Sequence, residues 1–173
     1  MQKISITLLI CGIALLAQAQ AEELKVGFAQ LSITPDLIDH WVDVNNDAQF
    51  DPDIDEWTDV NGNEKFDAVW MAGFQKQRPA QGIKDSLMAV AVVIDDGKNR
   101  IGIVTADTVG LMRKFVLGVR EAVPSEWGLD YLMVHATHNH AGPDTQGLWG
   151  PGFLSSGVDP DYMQQLQQNI LNA

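Results

Sequence analysis

Three of the four histidines of this 173-residue chain fall within six residues, in the stretch Val134-His135-Ala136-Thr137-His138-Asn139-His140-Ala141-Gly142-Pro143-Asp144. Imidazole is a common metal ligand and titrates near neutral pH, so such a cluster suits metal binding or proton transfer. Leu129 to Ala136 reads as a strand leading into the cluster. Side chains alternate along a strand, which places His138 and His140 on the face of Leu132, Val134 and Ala136, and His135 on the other. Two imidazoles at i and i+2, where a buried strand opens into a Gly-Pro turn beside Thr137, Asn139 and Asp144, suit joint binding of a metal or a reacting group. The plain alternative is a pair of hydrogen-bonded structural histidines.

A second set of candidate ligands is acidic. Residues 36–67 hold eleven Asp or Glu and one Lys, against a net charge of -12 for the whole chain. Within them Trp41-Val42-Asp43-Val44-Asn45-Asn46-Asp47-Ala48-Gln49-Phe50-Asp51 recurs sixteen residues later as Trp57-Thr58-Asp59-Val60-Asn61-Gly62-Asn63-Glu64-Lys65-Phe66-Asp67, with six of eleven columns identical. Asp43, Asn45, Asp47 and Asp51 stand at positions 1, 3, 5 and 9 of an oxygen-ligand loop, and Asp59, Asn61, Asn63 and Asp67 repeat them. A hard cation such as Ca²⁺ wants several oxygens on a tight loop, so structural calcium is expected here. Position 12 of each EF-hand frame is Ile54 or Trp70 rather than Glu, which points to a shorter type of calcium loop, the first completed by Asp53, Asp55 or Glu56. The repeated Trp and Phe are expected to anchor the loops to the body of the domain. Without a cation, the alternative is a solvated acidic surface.

The elements that must carry these residues follow from periodicity. Leu24 to Ile33 reads as a strand closed by Thr34-Pro35. Residues 87–94 form an apolar run expected to be a strand buried on both faces. Asp95-Asp96-Gly97-Lys98-Asn99 is a turn into a second strand, Arg100 to Thr105. Leu111 to Val123 has helical spacing and is stopped by Pro124, and Asp159-Pro160 starts a final helix with Tyr162, Met163, Leu166 and Ile170 on one face. The expected fold class is α/β, a layered mixed β-sheet with flanking helices. The final helix meets Ala173 with no capping signal, so the reading expects a domain incomplete at its C-terminus. Trp70 and Phe74 suggest either core packing or the lining of a lipid-binding groove.

Composition excludes some functions. An acidic chain lacks the basic face that displaces counterions from nucleic acid, so no nucleic-acid partner is expected. Lys3 followed by the apolar Ile4–Ala17 and small residues at 17, 19 and 21 reads as a cleavable signal peptide over 1–21, too short to span a bilayer. The protein is expected to be secreted or periplasmic, with no transmembrane segment in the mature chain. Its one cysteine, Cys11, lies in that peptide, leaving no thiol chemistry or disulfide for residues 22–173.

Thr137-His138-Asn139-His140-Ala141-Gly142-Pro143 resembles the Thr-His-Thr-His-x-Gly-Pro motif of neutral/alkaline ceramidases. Supporting matches, in order, are Val26-Gly27 through Ile33-Thr34-Pro35, Ala80-Gln81-Gly82-Ile83-Lys84-Asp85-Ser86-Leu87, and Ile103-Val104-Thr105-Ala106-Asp107. They run over residues 24–150, interrupted by the acidic insert at 39–70. Asn139 stands where the family has Thr, and residues 144–150 replace its Gly-rich continuation. A metallo-β-lactamase arrangement would want Asp at position 142, which is Gly here. The resemblance implies a zinc-dependent amidohydrolase that cleaves the N-acyl bond of ceramide to sphingosine and fatty acid. By position, His138 is then a zinc ligand and His140 an active-site residue beside the metal, with the family's second His, Glu and Tyr ligands expected downstream and these 173 residues alone expected to be inactive. Asp107, at the end of a buried strand, either faces the catalytic cleft or caps the next turn. Two other readings remain: a calcium-stabilised secreted binding module without catalysis, and a zinc hydrolase of the same fold acting on another amide or ester.

Overall fold

The computed structural model describes residues 23–173; the segment read as a signal peptide, 1–21, lies outside the described residues. Six strands and two helices follow in the order β1 Lys25–Ser32, β2 His40–Val42, β3 Glu56–Thr58, β4 Met88–Asp95, β5 Arg100–Ala106, α1 Arg113–Glu121, β6 Tyr131–Ala136 and α2 Pro160–Asn172. The main sheet has strand order β1-β4-β5-β6 and is mixed, as expected for the α/β class. β1 and β5 flank β4 antiparallel, while β6 runs parallel to β5 after the α1 crossover. β2 and β3, which periodicity did not single out, form a separate two-stranded ribbon inside the acidic repeat.

The β4–β5 hairpin is set by its turn. Asp95 and Asp96 carboxylates accept the backbone N–H groups of Gly97, Lys98 and Asn99, Gly97 takes a φ of 82°, and Arg100 pairs with Asp95 at 2.7 Å. The Arg100 guanidinium and the Gly97 amide hold the Asp95 carboxyl below the ordinary carboxylate range. In α2 the Asp159 carboxylate accepts from the N–H of Asp161 and Tyr162, and Pro160 opens the helix, the cap expected from sequence.

Alternation sends Ala89, Ala91, Val104, Ala106 and Val134 to one face, where they pack with Val119 of α1 and Tyr162, Leu166 and Ile170 of α2. Each large apolar side chain buried there contributes about 1.5–3 kcal/mol. The Tyr162 hydroxyl donates to the Ile33 carbonyl at 3.0 Å and Asn169 Nδ2 to Ser32 O at 2.9 Å, which fastens α2 to the end of β1. Burial pushes the Tyr162 hydroxyl up from its ordinary pKa.

The opposite face departs from expectation. Val26 and Phe28 of β1, Ile101 of β5 and Met133 of β6 are exposed there, and no described element covers them. The apolar run of β4 reports two apolar faces correctly, but the described residues bury only one of them.

Candidate functional site

β5 and β6 end side by side, with Ala106 paired to Ala136, and the two chains leave the sheet together. Their pairing continues irregularly through Thr137 N–H to Ala106 O at 3.0 Å and Asn139 N–H to Thr108 O at 3.1 Å. Strand alternation is not what brings the histidines together, contrary to the sequence argument. β6 stops at Ala136, and His138 adopts a φ of 66°, a left-handed conformation that is costly for a residue with a β-carbon. This turn sets the His138 and His140 rings 4.6 Å apart between centroids. His135 stays on the strand, and its Nε2 bonds the Thr105 hydroxyl at 2.8 Å.

His138 Nδ1 lies 2.7 Å from the Val109 carbonyl oxygen. A carbonyl only accepts, so Nδ1 holds the proton and Nε2 carries the free lone pair. Metal-bound imidazoles are oriented in this way.

A second segment forms the wall of the site. Met71 bridges Pro143, Ala72 N–H donates to Gly142 O, and Asp144 N–H donates to Trp70 O. A β-carbon at Gly73 would overlap the His140 ring, and the φ of 103° there also favours glycine. Phe74, the groove candidate from sequence, is exposed and meets His140 edge-on at 5.3 Å, while Trp70 joins the aromatic stack of the acidic repeat. The Arg78 guanidinium lies over the Phe74 ring at 4.9 Å and donates to Ala72 O and His140 O at 2.7 and 3.0 Å. Burial holds that guanidinium below its ordinary pKa.

Asp107 joins a different feature. Its Oδ2 accepts from Met88 N–H at 3.0 Å, while its own N–H donates to Met88 O, so it clamps the start of β4. It also lines a cavity of about 440 Å³ with Pro35, Leu37, Ile83, Leu87 and Asn139. Asn139 and Ala141 line this cavity and His138 and His140 do not, so it lies off the imidazole site.

Asp144, noted in the sequence only as a polar neighbour, organises the next loop. Its buried carboxylate accepts four backbone N–H groups, those of Gln146, Gly147, Trp149 and Gly157, at 2.8–3.1 Å. Thr145 donates its hydroxyl to Gly110 O, and Trp149 Nε1 donates to Phe74 O at 2.8 Å, tying this loop to the histidine wall.

The acidic repeat folds as a pair of loops around the β2–β3 ribbon, in which Trp41 pairs with Trp57. In the first loop Asp43 accepts from Asp47 N–H and Ala48 N–H, and Asp47 from Gln49 N–H. In the second, Asp59 accepts from Gly62, Asn63 and Glu64 N–H, and Asn61 and Asn63 both donate to Asp67 Oδ2 at 2.7 Å. The Glu64 amide above all holds the Asp59 carboxyl below the ordinary carboxylate range. Two further members of the repeat were missed: Asp39 and Asp55 are also sixteen apart and are buried. Asp55 accepts Val44 N–H and Asp51 N–H of the first loop, whereas Asp39 accepts Val60 N–H and Asp67 N–H of the second. Asp55 therefore caps backbone with both carboxylate oxygens, a role its reading as a spare cation ligand did not include. Phe50, Phe66, Trp57 and Trp41 stack on one another between the loops, where anchoring to the body was expected.

The fold is ceramidase-like. A solved structure described as a ceramidase complexed with C2 superposes with a TM-score of 0.56 at 19% identity. The neutral ceramidase from Pseudomonas aeruginosa does so with a TM-score of 0.58 at 18% identity. In both cases 86% of this chain is covered and 20% of the solved chain, so the chain spans about a fifth of the length of these ceramidases. No family model matches the chain, and no curated protein matches it.

The residues fit a ceramidase-type zinc in part. Among the described residues no three His, Cys, Asp or Glu side chains gather as a metal-holding group, in the histidine turn or in the acidic loops. His138 offers an oriented nitrogen donor with His140 beside it, and a tetrahedral site would need further ligands. No helix of the described residues is long and apolar enough to cross a membrane.

Proposed function

We propose that this chain belongs to an exported zinc-dependent amidohydrolase acting on the N-acyl amide of a ceramide-like lipid, releasing a long-chain amine and a fatty acid. The observation that carries the reading is the Nδ1 bond of His138 to Val109 O, which leaves Nε2 free beside the His140 ring. In this reading His138 would hold zinc, which when bound would supply a Lewis acid for the amide carbonyl and the attacking water. His140, beside the His138 ring, would serve proton transfer. Gly73 and Arg78 keep the His140 backbone in place, and Asp107 holds the β4 end of the scaffold. Residues 1–21 direct export, and the loops of Asp43, Asn45, Asp47 and Asp51 and of Asp59, Asn61, Asn63 and Asp67 take structural calcium.

Elemental analysis of the purified protein and of His138→Ala tests both metals. The expected result is zinc in the parent, zinc lost in the variant, and calcium retained in both; fatty-acid release from an N-acyl lipid amide is lost with the zinc. Equal zinc in the two proteins would overturn the assignment of His138. Calcium without zinc in the parent would favour the reading as a calcium-stabilised binding module, for which the mutually capped acidic loops speak.

A further inference from the structure

The loop that Asp144 organises ends in an exposed apolar tip. Phe153 and Leu154 are 82% and 93% exposed, and Leu148 and Phe74 beside the same wall are exposed as well. A flexible loop would fold such side chains back onto the protein, but this one has a closed neck. Asp144 grips the amides of Trp149 and Gly157 from inside, Gln77 N–H donates to Gly150 O, and Ser155 N–H turns back to Gly152 O. A β-carbon at Gly150 or Gly157 would overlap the backbone of the opposing strand of the neck. Lys76 binds the Phe153 carbonyl and holds its ammonium 5.0 Å from the Phe153 ring centroid, so a cation sits at the shoulder of the tip.

We propose that the Phe153–Leu154 tip is an interfacial anchor that inserts into a zwitterionic lipid surface and sets the histidine site against it. Fixed, contiguous apolar side chains on a soluble surface mark an interaction site, and a cation just behind them suits the phosphate layer that lies above the acyl chains. The net charge of -12 disfavours an anionic surface, which selects zwitterionic lipid. The tip is continuous with the site: Trp149 bonds Phe74 O, and the Phe74 ring packs on His140. The purpose of the anchor rests on the lipid-amide reading; lipid binding itself does not, and it is measured without turnover.

The test is co-sedimentation of the purified protein with phosphatidylcholine vesicles. The parent is expected to partition onto them, and Phe153→Asp/Leu154→Asp to lose about tenfold or more, since each side chain then forfeits its transfer into an apolar medium. Leu154→Asp alone gives an intermediate loss, and circular dichroism stays that of the parent because both positions are exposed. No partition of the parent, partition only onto phosphatidylglycerol vesicles, or unchanged partition of the tip variants overturns the proposal. So does a greater loss from Phe28→Asp on the open sheet face. Retained partition with no fatty-acid release would leave the anchor standing and count against the amidohydrolase reading alone.

Discussion

The acidic repeat and the histidine turn both offer metal ligands, yet they are built in opposite ways. Every cap and stack that shapes the repeat comes from residues 39–70, a short and continuous stretch. The histidine turn is assembled from four separate segments: the β5 exit at 107–110, the turn itself, the 70–78 wall and the loop that Asp144 fixes. The repeat spends its carboxylates on its own backbone amides, which suits a structural role. The turn leaves an imidazole nitrogen free and a backbone strained, which suits a reactive one. Where carboxylates cap the amides of their own segment the region shapes itself; where an imidazole nitrogen is left open the surroundings must hold it in place.

The largest test of that contrast is Asp144→Ala. It strands four backbone amides in a partly buried loop and is expected to cost about 3 kcal/mol in denaturant unfolding. The circular-dichroism signature of the β2–β3 aromatic pair should survive until the main transition. Next, Asp39→Ala is expected to cost about 2 kcal/mol by uncapping Val60 and Asp67, and to weaken the calcium binding proposed for the second loop more than that proposed for the first. A calorimetric titration that showed the first loop weakened instead would reverse the cap assignment.

A smaller effect of opposite sign is expected at the turn. His138→Gly relieves the left-handed strain and should raise stability by about 1 kcal/mol while removing the nitrogen proposed to hold zinc. A loss of stability in that variant would show that the ring, rather than the backbone, is the stabilising part. The smallest effect is that of pH on the second loop. The Asp59 carboxyl is lowered in the folded state, so its contribution is full above the unfolded carboxylate value and fades as pH falls through the lower folded value. Tryptophan emission from Trp57 should therefore change only in acid, and Asp59→Asn should flatten the change.

Much of the scaffold was legible from residue pattern. The β4–β5 hairpin follows from its turn residues, α2 from Asp159-Pro160 and its apolar spacing, and the mixed sheet from the order of elements. The acidic duplication was visible too, but its register was read only over the eleven columns that look like ligands. Asp39 and Asp55 obey the same sixteen-residue period and escaped because their work, capping amides in the other copy, leaves no ligand spacing. The histidine cluster was found by composition, and its geometry was not: alternation assumes that the strand continues, and nothing local announces a left-handed His138. The role of Asp144 depends on amides up to thirteen residues away, beyond the reach of a short-range pattern. The apolar run of β4 was read as buried on both faces and only one is buried among the described residues, because periodicity says that a face wants cover and not what supplies it.

The crossed caps of the acidic repeat bear on what can be cut or transplanted. Because Asp55 serves the loop before it and Asp39 the loop two strands on, each copy lends its aspartate to the other. Deleting either copy therefore disables the survivor, and grafting one onto a foreign scaffold would carry a loop without its keystone. The portable unit is the whole of residues 39–70, since Trp70 completes the aromatic stack on Phe66.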